Sequence, residues 1–295
     1  MSRVLRLKRN EKGRDYVVGD IHGMFSHVDQ ALEYANFDPE KDRLIVVGDL
    51  INRGSETGQV LDFLDRPYVY SVQGNNEDMA RDILGAKNVY TSYESDEQRA
   101  EILGAKDKHW LRALSPEKKQ KILERLDELP IAIEVETEQG LAGIVHANVP
   151  HGLSWPEMIE KINADDKKTI GTVLWDRSRA KGDDNSIVEG VDQVFLGHTI
   201  ADNVRQAGNC FFIDTGAFYN DEQGAVYYSE KYPKDWHLTL AEIGLKKEFY
   251  LAARPQNTGP VHVITNIGSL DMVKILQNDR AATTCHIHQH TPIQN

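Results

Sequence analysis

Residues 44–54 read Leu-Ile-Val-Val-Gly-Asp-Leu-Ile-Asn-Arg-Gly, and residues 16–23 read Tyr-Val-Val-Gly-Asp-Ile-His-Gly. Each stretch begins as a short β-branched or aromatic run and stops abruptly at a Gly-Asp pair. A run of this kind, closed by a turn residue, predicts a buried strand. The pattern recurs along the chain. Val69-Tyr70-Ser71-Val72 stops before Gly74-Asn75-Asn76-Glu77, and Gly143-Ile144-Val145 stops at His146. Val194-Phe195-Leu196 stops at Gly197-His198-Thr199, and Phe211-Phe212-Ile213 stops at Asp214-Thr215-Gly216.

Helical periodicity fills the gaps between the first three strands. Val28, Leu32 and Ala35 mark one helix, and Val60, Leu61 and Leu64 mark another. Strand, helix, strand in alternation predicts an α/β fold. In such folds sites gather at the carboxyl ends of the strands, which is where the polar loops fall. Residues 79–129 are rich in Glu, Lys, Ala and Leu, with Pro116 to Leu129 the plainest helix. They predict a helical insertion over one edge of the site. Strand patterns return at Ile131. Residues 1–229 are expected to form the main domain, and 230–295 a C-terminal extension of unknown role.

Composition narrows the function. The chain has 295 residues, 40% of them hydrophobic, enough to bury a sizeable core. Its net charge of −12 disfavours general binding to nucleic acids. It would also repel a phosphorylated substrate at a distance, so cations or arginines must reverse the field locally. Two cysteines, Cys210 and Cys285, make no disulfide framework. No apolar run approaches the ~18 residues of a membrane span. The basic start lacks a signal-peptide core. A cytoplasmic protein with no membrane partner is the expectation.

The strand ends carry Asp20, His22, Asp49, Asn75, His146 and His198. These are oxygen and imidazole donors without a thiolate. The set suits manganese, iron, zinc or cobalt and is too rich in nitrogen for calcium. Six ligands exceed what one four-coordinate ion needs, so two ions are expected, with one Asp able to bridge them. Gly19, Gly48, Gly74 and Gly197 each precede a proposed ligand, where the lack of a Cβ permits a sharp turn and close approach.

The ordered set GD-x-HG, GD-x-x-x-RG, GN-x-E, a lone His, GH and DTG resembles the PPP-type, calcineurin-like metallophosphoesterases. Its nearest look is to the small serine/threonine phosphatases of bacteriophage lambda and bacteria. The resemblance covers about residues 16–219 and implies an αββα sandwich. It implies that Asp20 and His22 hold a first metal, that Asp49 bridges, and that Asn75, His146 and His198 hold a second. Two divalent ions, manganese foremost, would activate a bridging hydroxide to attack phosphorus. Arg53 and Arg177 would clamp the phosphoryl oxygens of a phosphoprotein or small phosphoester, a geometry that suits guanidinium forks.

Two positions depart from the family pattern. GNHE is here GNNE, and the second Asp of GD-x-x-DRG is Asn52. In the family that His protonates the leaving oxygen and that Asp orients it. Asn76 and Asn52 occupy the two positions, and an amide cannot deliver a proton near neutral pH. Losing a positioned general acid costs ~10²–10⁴ in rate. Esters with good leaving groups are therefore expected to be favoured over phosphoserine. The two changes fit each other, because an Asp has nothing to orient once the acid is gone.

Three functions compete. They are a serine/threonine-type protein phosphatase, a hydrolase of diesters or dinucleoside polyphosphates, and a phosphate-binding pseudophosphatase. The complete ligand set disfavours the last. Weaker signals are His151 as another proton source, the histidines of Cys285-His286-Ile287-His288-Gln289-His290, core packing at Met272 to Leu276, and solvated charge runs at Lys167-Lys168 and Lys246-Lys247-Glu248.

Overall fold

The computed structural model describes residues 3–105, 108–220 and 236–244, together with the backbone of strands at 248–252, 261–265 and 273–276. Strands β1 (Val4–Leu7) and β2 (Asp15–Val18) lead into helix α1 (Phe25–Tyr34), followed by β3 (Arg43–Val46), a 3₁₀ turn and α2 (Val60–Leu64), and β4 (Val69–Ser71). Four helices come next: α3 (Asn75–Ile83), α4 (Asp96–Gly104), α5 (His109–Arg112) and α6 (Pro116–Asp127). The chain continues with β5 (Ala132–Thr137), β6 (Gly140–Ile144), α7 (Trp155–Asn163), α8 (Lys167–Trp175), β7 (Gln193–Leu196), β8 (Arg205–Ala207) and β9 (Cys210–Phe212). Four strands close the described order: β10 (Leu238–Glu242), β11 (Glu248–Ala252), β12 (Val261–Thr265) and β13 (Val273–Leu276).

The strands form two sheets, ordered β1-β5-β6-β7-β9-β8 and β13-β12-β11-β10-β2-β3-β4. In the first, β6, β7 and β9 run parallel; in the second, β2, β3 and β4 do. Strand side chains alternate between faces, and the packing follows that period. Val17 and Ile45 point inward with Ile133, Ile144, Phe195 and Phe211 from the other sheet. Their neighbours Tyr16, Val18, Leu44 and Val46 point outward onto Phe25, Val28 and Phe63 of α1 and α2. On the opposite outer face, Val194, Leu196 and Phe212 meet Trp155, Met158, Ile170 and Val173 of α7 and α8. Three stacked cores separate four layers, the expected αββα sandwich.

Residues 238–242, placed by sequence in the C-terminal extension, form β10, which pairs antiparallel with β2. The backbone of β11 to β13 extends that sheet. The side chains of 273–276 and all of Lys246-Lys247, Met272 and Cys285–His290 lie outside the described residues, so those weaker signals stay with the sequence. No described helix is long and apolar enough to cross a membrane.

Trp155 shows how tightly the outer face is packed. It is fully buried, its Nε1–H donates to Glu134 Oε1 at 2.9 Å, and its ring covers Gly143 on β6. A Cβ at Gly143 would sit 2.7 Å from Trp155 Cζ3 and closer still to Cη2. Gly143→Ala is therefore expected to cost about 1–3 kcal/mol through overpacking, seen as a lower urea midpoint. An unchanged midpoint would show that the α7 face yields.

Candidate metal centre

Three parallel strands of one sheet and two of the other deliver the polar residues to one place. Asp20 and His22 follow β2, Asp49 follows β3, and Asn75 opens α3 just after β4. His146 follows β6 and His198 follows β7. All six are at least nine-tenths buried. Two subsets converge closely enough to share a cation: Asp20, His22 and Asp49, and Asp49, His146 and His198. Asp49 belongs to both. Its Oδ2 lies 3.4 Å from His22 Nε2, and its Oδ1 lies 3.4 Å from His146 Nε2.

The imidazoles are fixed from behind. His22 Nδ1 lies 3.0 Å from Ile51 O, His146 Nδ1 2.8 Å from Val47 O, and His198 Nε2 3.1 Å from Trp175 O. A carbonyl accepts only, so each of these nitrogens must carry the proton. Burial lowers the pKa of all three rings, that of His22 to about 3 with help from Arg53, so each is neutral. The forward nitrogens are then lone pairs. His146 Nε2 and His198 Nδ1 each face Asn75 Oδ1 at 2.9 Å. Three lone pairs meeting with no proton between them repel unless a cation lies among them. This donor set fits a divalent ion, with carbonyl partners that orient each ligand ring.

Backbone strain concentrates in these loops. Of seven described non-glycine residues with left-handed backbone, five are His22, Asp49, Asn52, Arg53 and His198. Such conformations persist only where the surroundings enforce them. Glu77 supplies much of that enforcement. Fully buried in α3, its Oε2 accepts from Asp49 N and Gly74 N at 2.8 Å, and its Oε1 from Leu50 N at 2.9 Å and Ile51 N at 3.3 Å. Burial and the Asp49 charge push its carboxyl up, while those N–H groups, which only an ionised carboxylate satisfies on both oxygens, pull the other way. Close approach completes the assembly. A Cβ on Gly197 would collide with Asp20 Oδ1, and one on Gly74 with Asp49 Oδ1.

The two departures from the family pattern touch each other. Trp110 Nε1–H donates to Asn52 Oδ1 at 2.9 Å, Asn52 Nδ2–H to Asn76 Oδ1 at 2.8 Å, and Asn76 Nδ2–H to Asp49 Oδ2 at 2.7 Å. The indole can only donate, so it sets the direction of the whole chain. Both amides end as donors of N–H, not of a proton. Arg53 and Arg177 are half-exposed beside the buried ligands. Arg53 Nη1 lies 2.7 Å from His22 Nε2, and Arg177 Nη1 donates to His198 O at 2.7 Å. Neighbouring carboxylates Asp20 and Asp214 raise the Arg177 pKa, but burial outweighs them and lowers it.

Three contributors were not singled out from sequence. Glu77 and Asp214 sit inside quoted motifs, but the clamp on four N–H groups is a three-dimensional fact. Asp214 is buried beside Asp20, accepts from Gly216 N at 3.1 Å, and is pushed up to about 6 by burial. Trp110 arrives from the helical insertion, with no local signal to mark it. His151, in contrast, is 80% exposed at its side chain, with Nδ1 3.0 Å from Asp184 Oδ2. It is an exposed loop histidine paired with Asp184.

An αββα sandwich with paired cation sites at its joined strand ends defines a metal-dependent phosphoric ester hydrolase. Residues 15–202 match the family of calcineurin-like phosphoesterases, and the chain belongs to that family. The family uses a dinuclear divalent-metal centre. The chain is 32% identical over 209 residues to serine/threonine-protein phosphatase 2 of Salmonella typhimurium, covering 69% of this chain and 87% of that one. It is 36% identical over 103 residues to a symmetrical bis(5'-nucleosyl)-tetraphosphatase of Marinomonas sp., covering 33% of this chain and 36% of that one. A solved protein serine/threonine phosphatase from Saccharomyces cerevisiae shares the fold, with a TM-score of 0.53 at 15% identity over 96% of this chain and 86% of that one.

Glu77→Gln tests the clamp. The amide would turn an NH₂ toward at least one pair of backbone N–H donors. We expect a loss of at least about 2 kcal/mol from unsatisfied buried groups and weaker manganese uptake by titration calorimetry. Wild-type stability and metal affinity together would show that the loops hold themselves.

Proposed function

We propose that the chain is a phosphomonoesterase of serine/threonine protein phosphatase type that works with two manganese ions and protonates its leaving group weakly. The observation that carries this is the convergence of His146, His198 and Asn75 lone pairs next to the Asp49 carboxylate, with Asp20 and His22 on its other side. The protein phosphatase relatives support it over most of their length. Asp20 and His22 would hold one ion, Asn75, His146 and His198 the other, and Asp49 both. Bound there, a divalent pair supplies Lewis acidity and lowers the pKa of a water toward ~7.

The protein's own groups do the rest. Buried imidazoles kept neutral by desolvation offer lone pairs at any pH near neutrality. Arg53 and Arg177, at the exposed side, hold the phosphoryl oxygens and stabilise the charge that builds on them. Asn76, steered by Asn52 and Trp110, keeps its N–H on Asp49 Oδ2 and has no proton to give. A substrate is a phosphoprotein or small phosphoester whose leaving oxygen departs without much help.

The second reading, hydrolysis of diesters or dinucleoside polyphosphates, draws on the same Asn pair, since nucleotide phosphates leave readily. The matching tetraphosphatase covers a third of the chain, so this reading ranks behind the first.

A manganese-loaded panel of phosphopeptide, aryl monoester, aryl diester and dinucleoside tetraphosphate decides between them. The Asn52→Asp, Asn76→His double variant is expected to raise phosphoserine turnover by about 10²-fold, restoring a general acid. An unmoved rate would mean that proton delivery is not what limits this enzyme. Chelation is expected to abolish turnover and lower the melting temperature together.

A further inference from the structure

Arg53 does not stand alone at the exposed side of the site. Its guanidinium carbon lies 4.6 Å from the centre of the Phe218 ring. Phe218 also meets the His22 ring edge-on at 5.1 Å. From there the aromatic contacts continue outward. Phe218 and Tyr219 have ring centres 4.2 Å apart, and Tyr219 and Trp236 4.8 Å apart, each pair tilted by about a third of a right angle (33° and 36°). Phe218 is buried, whereas Tyr219 and Trp236 are half-exposed.

The ladder is built into the site. It follows directly on Asp214-Thr215-Gly216 at the end of β9. Gly216, at φ +76°, lets both outer rings close over it: a Cβ there would lie 2.7 Å from Trp236 Cε3 and 2.9 Å from Tyr219 Cδ2. Trp236 is brought from far along the chain and held by its neighbour. His237 N–H donates to Thr215 O at 3.2 Å, and Thr215 Oγ1 donates to His237 O at 2.8 Å.

We infer that Phe218, Tyr219 and Trp236 form a specificity wall that packs against the aromatic ring of an aryl phosphomonoester of the phosphotyrosine class, with the phosphate on Arg53. This rests on the phosphomonoesterase reading and names its substrate class. Two separate features agree. The Trp110–Asn52–Asn76 chain has no proton for the leaving oxygen, and a phenol, with a pKa of ~10, departs as its anion far more readily than a serine alkoxide. The wall offers that same phenol a stacking surface next to the phosphate clamp. Offset and edge-on ring contacts are each worth about two- to tenfold in binding.

The test compares phenylphosphonate with methylphosphonate, neither of which can be hydrolysed, by titration calorimetry on the full manganese-loaded chain. Wild type is expected to favour the phenyl compound by at least about tenfold. Tyr219→Leu and Trp236→Leu are each expected to shrink that ratio several-fold, and to lower kcat/KM for a phosphotyrosine peptide relative to the phosphoserine peptide of the same sequence. A wild-type ratio near one overturns the wall whatever the variants do, as does a ratio unmoved in a variant of native melting temperature. Preference for phenylphosphonate without phosphate release from any ester overturns the enzymatic reading and leaves the wall. Brisk hydrolysis with no ring preference overturns the wall alone. A preference for adenosine phosphates over both peptides would assign the rings to a nucleobase and overturn the phosphotyrosine class.

Discussion

Buried lone pairs that face one another are the constraint around which this molecule is arranged. Imidazoles proton-bonded to backbone carbonyls from behind have no freedom to turn a hydrogen forward. Their forward nitrogens, the Asn75 carbonyl and the Asp49 carboxylate therefore confront each other at close range inside the protein. The fold tolerates this because other contacts hold the loops in place: the left-handed Asp49 and its neighbours Leu50 and Ile51 pinned by the Glu77 carboxylate, and Asp20 accepting the His198 N–H across the two sheets at 3.0 Å. Much of the cohesion near the site serves to keep an unfavourable arrangement intact until a cation makes it favourable. Burial raises the Asp49 pKa, yet the imidazoles of His146 and His22 and the Arg53 guanidinium around it outweigh that and hold the carboxylate below its ordinary range. Asp20 moves the opposite way, driven up by burial and by Asp214. One ionised and one protonation-prone carboxylate side by side are what a shared cation would equalise.

How much of this could be read in the sequence depended on whether the signal was local. Strands β2, β3, β4, β6, β7 and β9 ended where their apolar runs ended, within a residue or two, because a buried strand and a Gly-led turn are both set by neighbours along the chain. Helix α1 started three residues before the apolar pattern did, at Phe25, whose ring stacks on Phe63 at 4.6 Å and so belongs to the core. The predicted ligands converge for the same local reason: each lies within four residues of the end of its strand. The pairing of Asn52 with Asn76 was inferred from two substitutions that made sense only together, and they touch.

What stayed hidden is non-local. No pattern in His109-Trp110-Leu111-Arg112 says that the indole will reach Asn52, 58 residues earlier. Glu77 could be seen as part of a motif, but not as the acceptor of four amides from two loops. Trp236 sits in a stretch of mixed pattern and weak punctuation and becomes meaningful only when Thr215 anchors His237. Each was missed because its partner lies in another element, and periodicity reports on faces, not on partners.

The position of β10 has a consequence for how the protein comes into being. β2, which carries Asp20 and His22, is hydrogen-bonded on one side by β3 and on the other by residues 240–242, and Gly19 N–H donates to Thr239 O at 3.0 Å. A ribosome needs on the order of tens of seconds to travel that far. Early in that interval the nascent chain displays Asp20, His22, Asp49 and Asn75 without His146 or His198, and the edge of β2 stays bare until its end. A half-made chelate and an open strand edge are hazards of aggregation and of mismetallation. The donor set is complete only once His198 has been made, and the β2 edge is covered only once β10 has, so cation capture and closure of that sheet both fall late in the synthesis of this chain.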